Sequence, residues 1–139
     1  MKIIEIKAKE IFTKNKLGAD WVINPYFGCG HQCLYCYAKF IAKWKPKEYD
    51  QWGAWVEAKI NAPELVKAKN VKGEVFMSSI CDAYQPVEKE LKLTRRTLEN
   101  MDKNIKLSIL TKSDLVLRDI DVLKQFNKIE VGLTINSFV

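Results

Sequence analysis

Three of the four cysteines lie within eight residues of one another, in the stretch GCGHQCLYCY from Gly28 to Tyr37. Thiolates bind soft metals and iron-sulfur clusters, so such crowding points to a bound metal. The spacing is Cys29-x3-Cys33-x2-Cys36, with Cys81 remote. A structural zinc site takes four ligands, usually as two close pairs, and here His31 or Cys81 would have to complete the set. A cluster held by three thiolates instead leaves one iron open to a further ligand, which is useful only for chemistry. Spacing alone leaves both metals open. Three cysteines plus one remote are a poor count for a disulfide framework, and in a reducing compartment close cysteines favour metal or redox work. For His31, the only histidine, a loop-stabilising hydrogen bond or simple exposure outweighs a ligand role.

The rest of the chain must position this loop. Its 139 residues, 47% hydrophobic and 29% charged, suit one ordinary domain with its own core and exclude a disordered or fibrous protein. No apolar run approaches the roughly 18 residues of a membrane span. The opening MKIIEIKAKEIF alternates charge and hydrophobe, so a cytoplasmic protein without membrane contact is expected. A net charge of +6 and a pI near 9.1 are compatible with a polyanionic partner, but the lysines are spread along the chain as on solvated faces. Trp44, Tyr49, Trp52 and Trp55 interleave with Lys43, Lys45 and Lys47. Such a set could stack on bases; the favoured reading packs the tryptophans on the core and leaves the lysines wet.

A strand at 21–24 delivers the cysteine loop, and Leu34 to Trp44 continues as a helix until Pro46. The segment around Val56 to Ile60 fits helix or strand. Asn61 as cap, Pro63 in the first turn and Glu64 open a helix running to about Asn70. Further strands are expected at 74–80, 105–110 and 129–135. Between them, Val87, Leu91, Leu98 and Met101 mark one helix, with Glu88 and Glu90 in its first turn. Ser113-Asp114 caps another with Val116, Ile120 and Leu123 on one face. Ile129, Val131, Leu133 and Ile135 alternate with small or polar residues, so one face of the last strand packs under helices. Strands alternating with helices imply an α/β fold with parallel strands. Polar residues gather at the strand ends, at Ser78-Ser79, Thr111-Lys112 and Thr134 to Ser137, where ligands of such folds bind. Asp82 and Tyr84 read as turn formers or as groups facing that site.

The blocks NPYFGCGHQCLYCYA, NAPELV, DAYQPVEKELKLTR, ILTKS and TINS, in order from Asn24 to Ser137, resemble the radical S-adenosylmethionine (SAM) superfamily, and within it the spore photoproduct lyase-like, DNA repair photolyase-related proteins. The resemblance implies a partial (β/α) barrel, with about four parallel strands of a six-strand TIM-like barrel, and residues 1–139 as the N-terminal portion of that domain. A truncated chain, or one that pairs with a partner chain or with itself to close the sheet, is the corresponding expectation. It further implies that Cys29, Cys33 and Cys36 ligate a [4Fe-4S] cluster whose open iron chelates SAM. One electron from a donor would then cleave SAM to a 5′-deoxyadenosyl radical. Tyr35 and Tyr37 correspond to aromatics flanking the cofactor, and Ser79, Lys112, Thr134, Asn136 and Ser137 are candidates to contact SAM. The substrate implied is DNA or another nucleic acid. Spore photoproduct lyase returns a hydrogen atom from a cysteine that aligns with Ser79. Cys81, two residues on, is therefore a hydrogen-donor candidate, against an incidental buried cysteine.

Overall fold

A computed structural model describes residues 1–15, 18–45 and 51–135. Its strands are β1 (Lys2–Ile6), β2 (Phe12–Lys14), β3 (Trp21–Ile23), β4 (Tyr26–Phe27), β5 (Trp55–Lys59), β6 (Glu74–Met77), β7 (Lys106–Thr111) and β8 (Lys128–Leu133). Its α-helices are α1 (Ala62–Ala68), α2 (Glu88–Leu91), α3 (Leu93–Glu99) and α4 (Ile120–Leu123). The larger sheet has the order β2-β3-β6-β7-β8. β3, β6, β7 and β8 run parallel and β2 pairs antiparallel to β3. The four expected strands are thus present, parallel and adjacent in chain order, in a mixed α/β fold. No described helix is long and apolar enough to cross a membrane.

Alternation in the strands sets the layers. Val75 and Met77 of β6 and Leu107 and Ile109 of β7 are buried in one cluster with Val66, Leu98, Val116, Val122 and Leu123 from the helical segments. Phe76 and Ser108 point to the opposite face and are half-buried. A smaller sheet, β1-β5-β4, was not expected, because the opening segment reads as merely charged. β1 runs parallel to β5 and β4 antiparallel to it. The ambiguous stretch before Asn61 is therefore a strand, with Val56 and Ala58 fully buried. Asn61 stands at the start of α1 without capping it. Its carboxamide instead accepts the Ala8 N–H at 2.9 Å and donates to the Ala8 carbonyl at 2.8 Å. The helix stops at Ala68, where Lys69 turns extended.

The single helix expected after Pro86 is broken. Lys92 takes left-handed backbone angles, φ 51° and ψ 30°, between α2 and α3. The reason is Glu88, which is fully buried instead of sitting in a solvated first turn. Its carboxylate accepts the backbone N–H groups of Thr94 (2.9 Å) and Arg95 (3.2 Å), capping α3 from inside the fold. It also receives the Tyr26 hydroxyl and the Arg118 guanidinium, the latter at 2.9 Å. Arg118 grips Asp119 through Nε and Nη2, both at 2.8 Å, and Arg95 reaches Asp119 at 3.0 Å. Two fully buried carboxylates are thereby neutralised by two arginines.

After β7, Ser113 Oγ accepts the Leu115 N–H at 3.1 Å, as a cap should. The capped element is a 3₁₀ helix, Asp114–Asp119, leading into α4. Three residues per turn shift the buried face to Val116, Asp119 and Val122, so Ile120 is left exposed, contrary to the helical spacing. β8 corrects a further expectation. Ile129 and Val131 do lie in register with the buried Leu107 and Ile109, and Leu133 with Thr111. Yet Ile129, Val131, Leu133 and Ile135 are all exposed, Leu133 to 55%, because no described helix covers that end of the core face.

Glu88→Ala should lower stability by about 3–5 kcal/mol, measured from urea midpoints, because Arg118 and two N–H groups lose their buried partner. Burial pushes the Asp119 carboxyl up, but Arg118 and Arg95 outweigh it and hold it below its ordinary range. A depressed carboxyl stabilises the fold above its unfolded value of about 3.9, and that contribution fades as pH falls through the lower folded value. Asp119→Asn should therefore lose stability at neutral pH and show a shallower decline in acid than the parent, as followed by thermal melts between pH 7 and pH 2.

Candidate cofactor site at the cysteine loop

The cysteine loop leaves β4 through Gly28, whose φ of +94° and close approach to Trp55 admit no side chain; a Cβ would meet the Trp55 carbonyl oxygen at 2.8 Å. Cys29 follows and is buried, whereas Cys33 and Cys36 are half-buried. Burial pushes the Cys29 thiol up to about 11. The Cys36 N–H closes a turn on the Cys33 carbonyl at 3.2 Å, and Gln32 Nε2 ties the loop to the Gly53 carbonyl at 3.0 Å. The helix expected from Leu34 begins only at Tyr37 and runs to Trp44 as a 3₁₀ helix, because Cys36 is still extended. Trp44 does not pack on the core. It is 77% exposed, edge-on to Phe40, and Trp55 is the buried tryptophan of the set. Tyr49 and Lys47 lie outside the described residues.

Opposite the loop stand the ends of the parallel strands. β6 stops at Met77, three residues early, because Ser78 takes a φ of +73° while its N–H reaches the Ile23 carbonyl at 2.7 Å. Ser79 and Cys81 therefore sit in a loop, and no shared strand face relates them. Asn24 organises that loop, donating to Ser79 Oγ at 3.3 Å and accepting the Ile80 N–H at 3.2 Å. The Cys81 thiol lies 3.7 Å from Asn24 Oδ1 and 3.6 Å from Ser78 Oγ, and burial pushes it up to about 12.

Asp82 is both a turn former and a group of the site. Its Oδ1 accepts the Tyr84 N–H at 2.8 Å and the Thr111 hydroxyl at 2.6 Å, and its Oδ2 accepts the Lys112 N–H at 2.9 Å. His31 Nε2 stands 3.1 Å from Oδ2, at ion-pair distance but without hydrogen-bond alignment. Burial would raise this carboxyl; His31, Thr111 and the two N–H groups outweigh it and hold it below its ordinary range. Gln85, fully buried, reaches the cysteine loop from the same segment, donating to the Gly28 carbonyl and accepting the Gly30 N–H.

Between these walls lies a cavity of about 290 Å³ at the carboxyl ends of β6, β7 and β8. Cys29, Cys33 and Cys36 line it, and so do Tyr35, Tyr37, Ser79, Cys81, Lys112 and Thr134. Asn136 and Ser137 lie outside the described residues. Tyr35 and Tyr37 are each more than 60% exposed and bridge the cavity: the Lys112 ammonium sits 4.7 Å from the Tyr35 ring centre and bonds its hydroxyl, while the Tyr37 hydroxyl donates to the Ser79 carbonyl. Three free thiols on one wall are the donor set that an iron-sulfur cluster takes. Among the described residues no three Cys, His, Asp or Glu side chains are already gathered closely enough to hold a metal. Asn24 and Gln85 escaped sequence reasoning; the available signal was the three-residue spacing of Asp82, Gln85 and Glu88 in one polar-punctuated block.

The profile of the Radical SAM superfamily matches residues 23–138. An uncharacterized protein of Methanocaldococcus jannaschii is 56% identical over 139 residues, covering 99% of this chain and 53% of that protein. An uncharacterized protein of Acidianus two-tailed virus is 31% identical over 122 residues, 80% of this chain and 40% of its own length. The chain thus spans about half the length of the curated relatives it matches. No solved structure matches it.

Asp82→Ala should cost about 1.5–3 kcal/mol, the usual range for hydrogen bonds to a charged group. Hydrogen exchange at the Tyr84 and Lys112 amides should quicken, while the Glu88 contacts at Thr94 and Arg95 keep their protection.

Proposed function

Because this chain belongs to the radical SAM superfamily, we propose that it forms the cofactor-binding part of an enzyme that uses a [4Fe-4S] cluster on Cys29, Cys33 and Cys36 to cleave SAM reductively. The observation that carries this reading is the convergence of the three cysteines with Tyr35, Ser79, Lys112 and Thr134 on one cavity at the carboxyl ends of parallel strands. When bound, such a cluster supplies one electron to the sulfonium of SAM and so provides a 5′-deoxyadenosyl radical.

The chain's own groups divide the remaining work. Tyr35 and Tyr37 offer ring faces at the cavity mouth, where the adenine or the sulfonium can rest. Lys112 holds Tyr35 and presents a cation to a SAM carboxylate. Ser79 and Thr134 supply hydroxyls from the loops after β6 and β8. Cys81 belongs to the same reading as hydrogen-atom donor, in the manner of spore photoproduct lyase-like enzymes. Its raised pKa keeps the sulfur protonated at neutral pH, the form from which a hydrogen atom can be given. A nucleic-acid substrate is supported by the sequence resemblance, and the net charge of +6 is compatible with it. The edge of β8, last in the order of the larger sheet, is where further strands would extend it toward a barrel.

Protein reconstituted anaerobically with iron and sulfide should be brown and bind about four of each per chain, and Cys33→Ala should lose both. Stoichiometric zinc without sulfide would instead favour a zinc module built on the same cysteines with His31 or Cys81. With reductant, the loaded protein should convert SAM to 5′-deoxyadenosine, read by chromatography; a loaded protein that never does so would reduce the chain to a cluster carrier. For Cys81, alkylation by iodoacetamide at pH 7–9 should be much slower than for a free thiol of ordinary pKa near 8.5, since little thiolate is present.

A further inference from the structure

Gln85 is fully buried, and both ends of its carboxamide are used across the fold. Oε1 accepts the Gly30 N–H at 2.9 Å, and Nε2 donates to the Gly28 carbonyl at 3.1 Å. These two peptides flank Cys29, so one side-chain amide holds the backbone on both sides of that cysteine as a neighbouring strand would. Its mounting is firm. The Gln85 N–H bonds the Asp82 carbonyl at 3.3 Å and its own carbonyl accepts the Glu88 N–H at 2.9 Å, while the Asp82 and Glu88 side chains are fixed by their own buried partners. On the other side of the loop, Trp55 blocks retreat of Gly28.

Cys33 and Cys36 are held differently, by a turn between them and by the Gln32 contact to Gly53. Resting on the cluster assignment to Cys29, Cys33 and Cys36, we propose that Gln85 is a positioning residue that fixes Cys29 as the pre-placed ligand, around which Cys33 and Cys36 close. Outer-shell groups that orient a ligand tune both the affinity and the potential of the metal centre, so the clamp controls both retention and potential.

The test uses the full chain, reconstituted anaerobically, as parent, Gln85→Met and Gln85→Glu, with circular dichroism melts alongside. Gln85→Met keeps the volume and removes both hydrogen bonds; Gln85→Glu keeps an acceptor for Gly30 and, when ionised, loses the donor to Gly28. Gln85→Met should release iron to a chelator about 10-fold faster or more and show a shifted midpoint potential, with Gln85→Glu also displaced from the parent in both. If Gln85→Met fails to fold, Gln85→Glu carries the test on the same two readouts. A folded variant with the parent's release rate and potential overturns the proposal, as does one that is merely less stable at an unchanged potential. A parent that takes up no iron and sulfide overturns the cluster reading itself, and this inference with it.

Discussion

Burial forces a polar side chain to find a partner, and the segment from Asp82 to Glu88 buries three. Asp82, Gln85 and Glu88 stand three residues apart, and all are withdrawn from solvent. Each therefore reaches a different part of the fold. Asp82 takes the end of β7, Gln85 takes the cysteine loop, and Glu88 takes Tyr26, the start of α3 and Arg118. One short stretch thereby fixes the relative placement of loop, strand ends and helices. An apolar segment could fill the same volume, but without these directional partners it could not set the position of a peptide so closely.

The parallel strands were legible because short apolar runs rich in β-branched residues, such as those at 74–80 and 105–110, follow breaks in the pattern. Spacing could not reveal where long-range partners override local preference. Glu88 reads as a solvated first-turn acid; buried, it caps a later helix and breaks the run at Lys92. Asn61 reads as a cap but bonds Ala8, 53 positions away in the chain. The strands β1, β2 and β4 are short and mixed in character, so their pairing is set by neighbours distant in the chain. At the site, the thiols, Tyr35, Lys112 and Ser79 were legible from motifs, and they do meet at one cavity. Gln85 and Asn24 were not, because an amide inside an apolar run looks the same whether it faces water or clamps a loop.

The two faces of the sheet explain why chemistry gathers at one end. The face of Val75, Met77, Leu107 and Ile109 is given to the helices, and the strand ends pass directly into Ser78, Thr111 and Thr134. Parallel strands bring all those ends to the same side, so loops far apart in sequence share a wall. Cys81 gains its surroundings in this way. Asn24 and Ser78 approach its sulfur from different loops, and burial outweighs the opposing pull of Ser78 and Lys59 on its ionisation.

The same physics separates the three motif cysteines. Cys29 is buried behind Gly28 and Gly30, and its raised pKa reflects desolvation that a metal would reverse, since a ligated thiol gives up its proton. Cys33 and Cys36 are half-buried, on a turn closed by the Cys36 N–H on the Cys33 carbonyl. A loop with all three thiols fixed would confront three crowded charges at the moment of deprotonation. On the proposed cluster assignment, holding one sulfur first and bringing in two afterwards would meet that repulsion only as the metal neutralises it. On that assignment the asymmetry in burial gives a workable order of assembly, set by where the chain places a glutamine and two glycines.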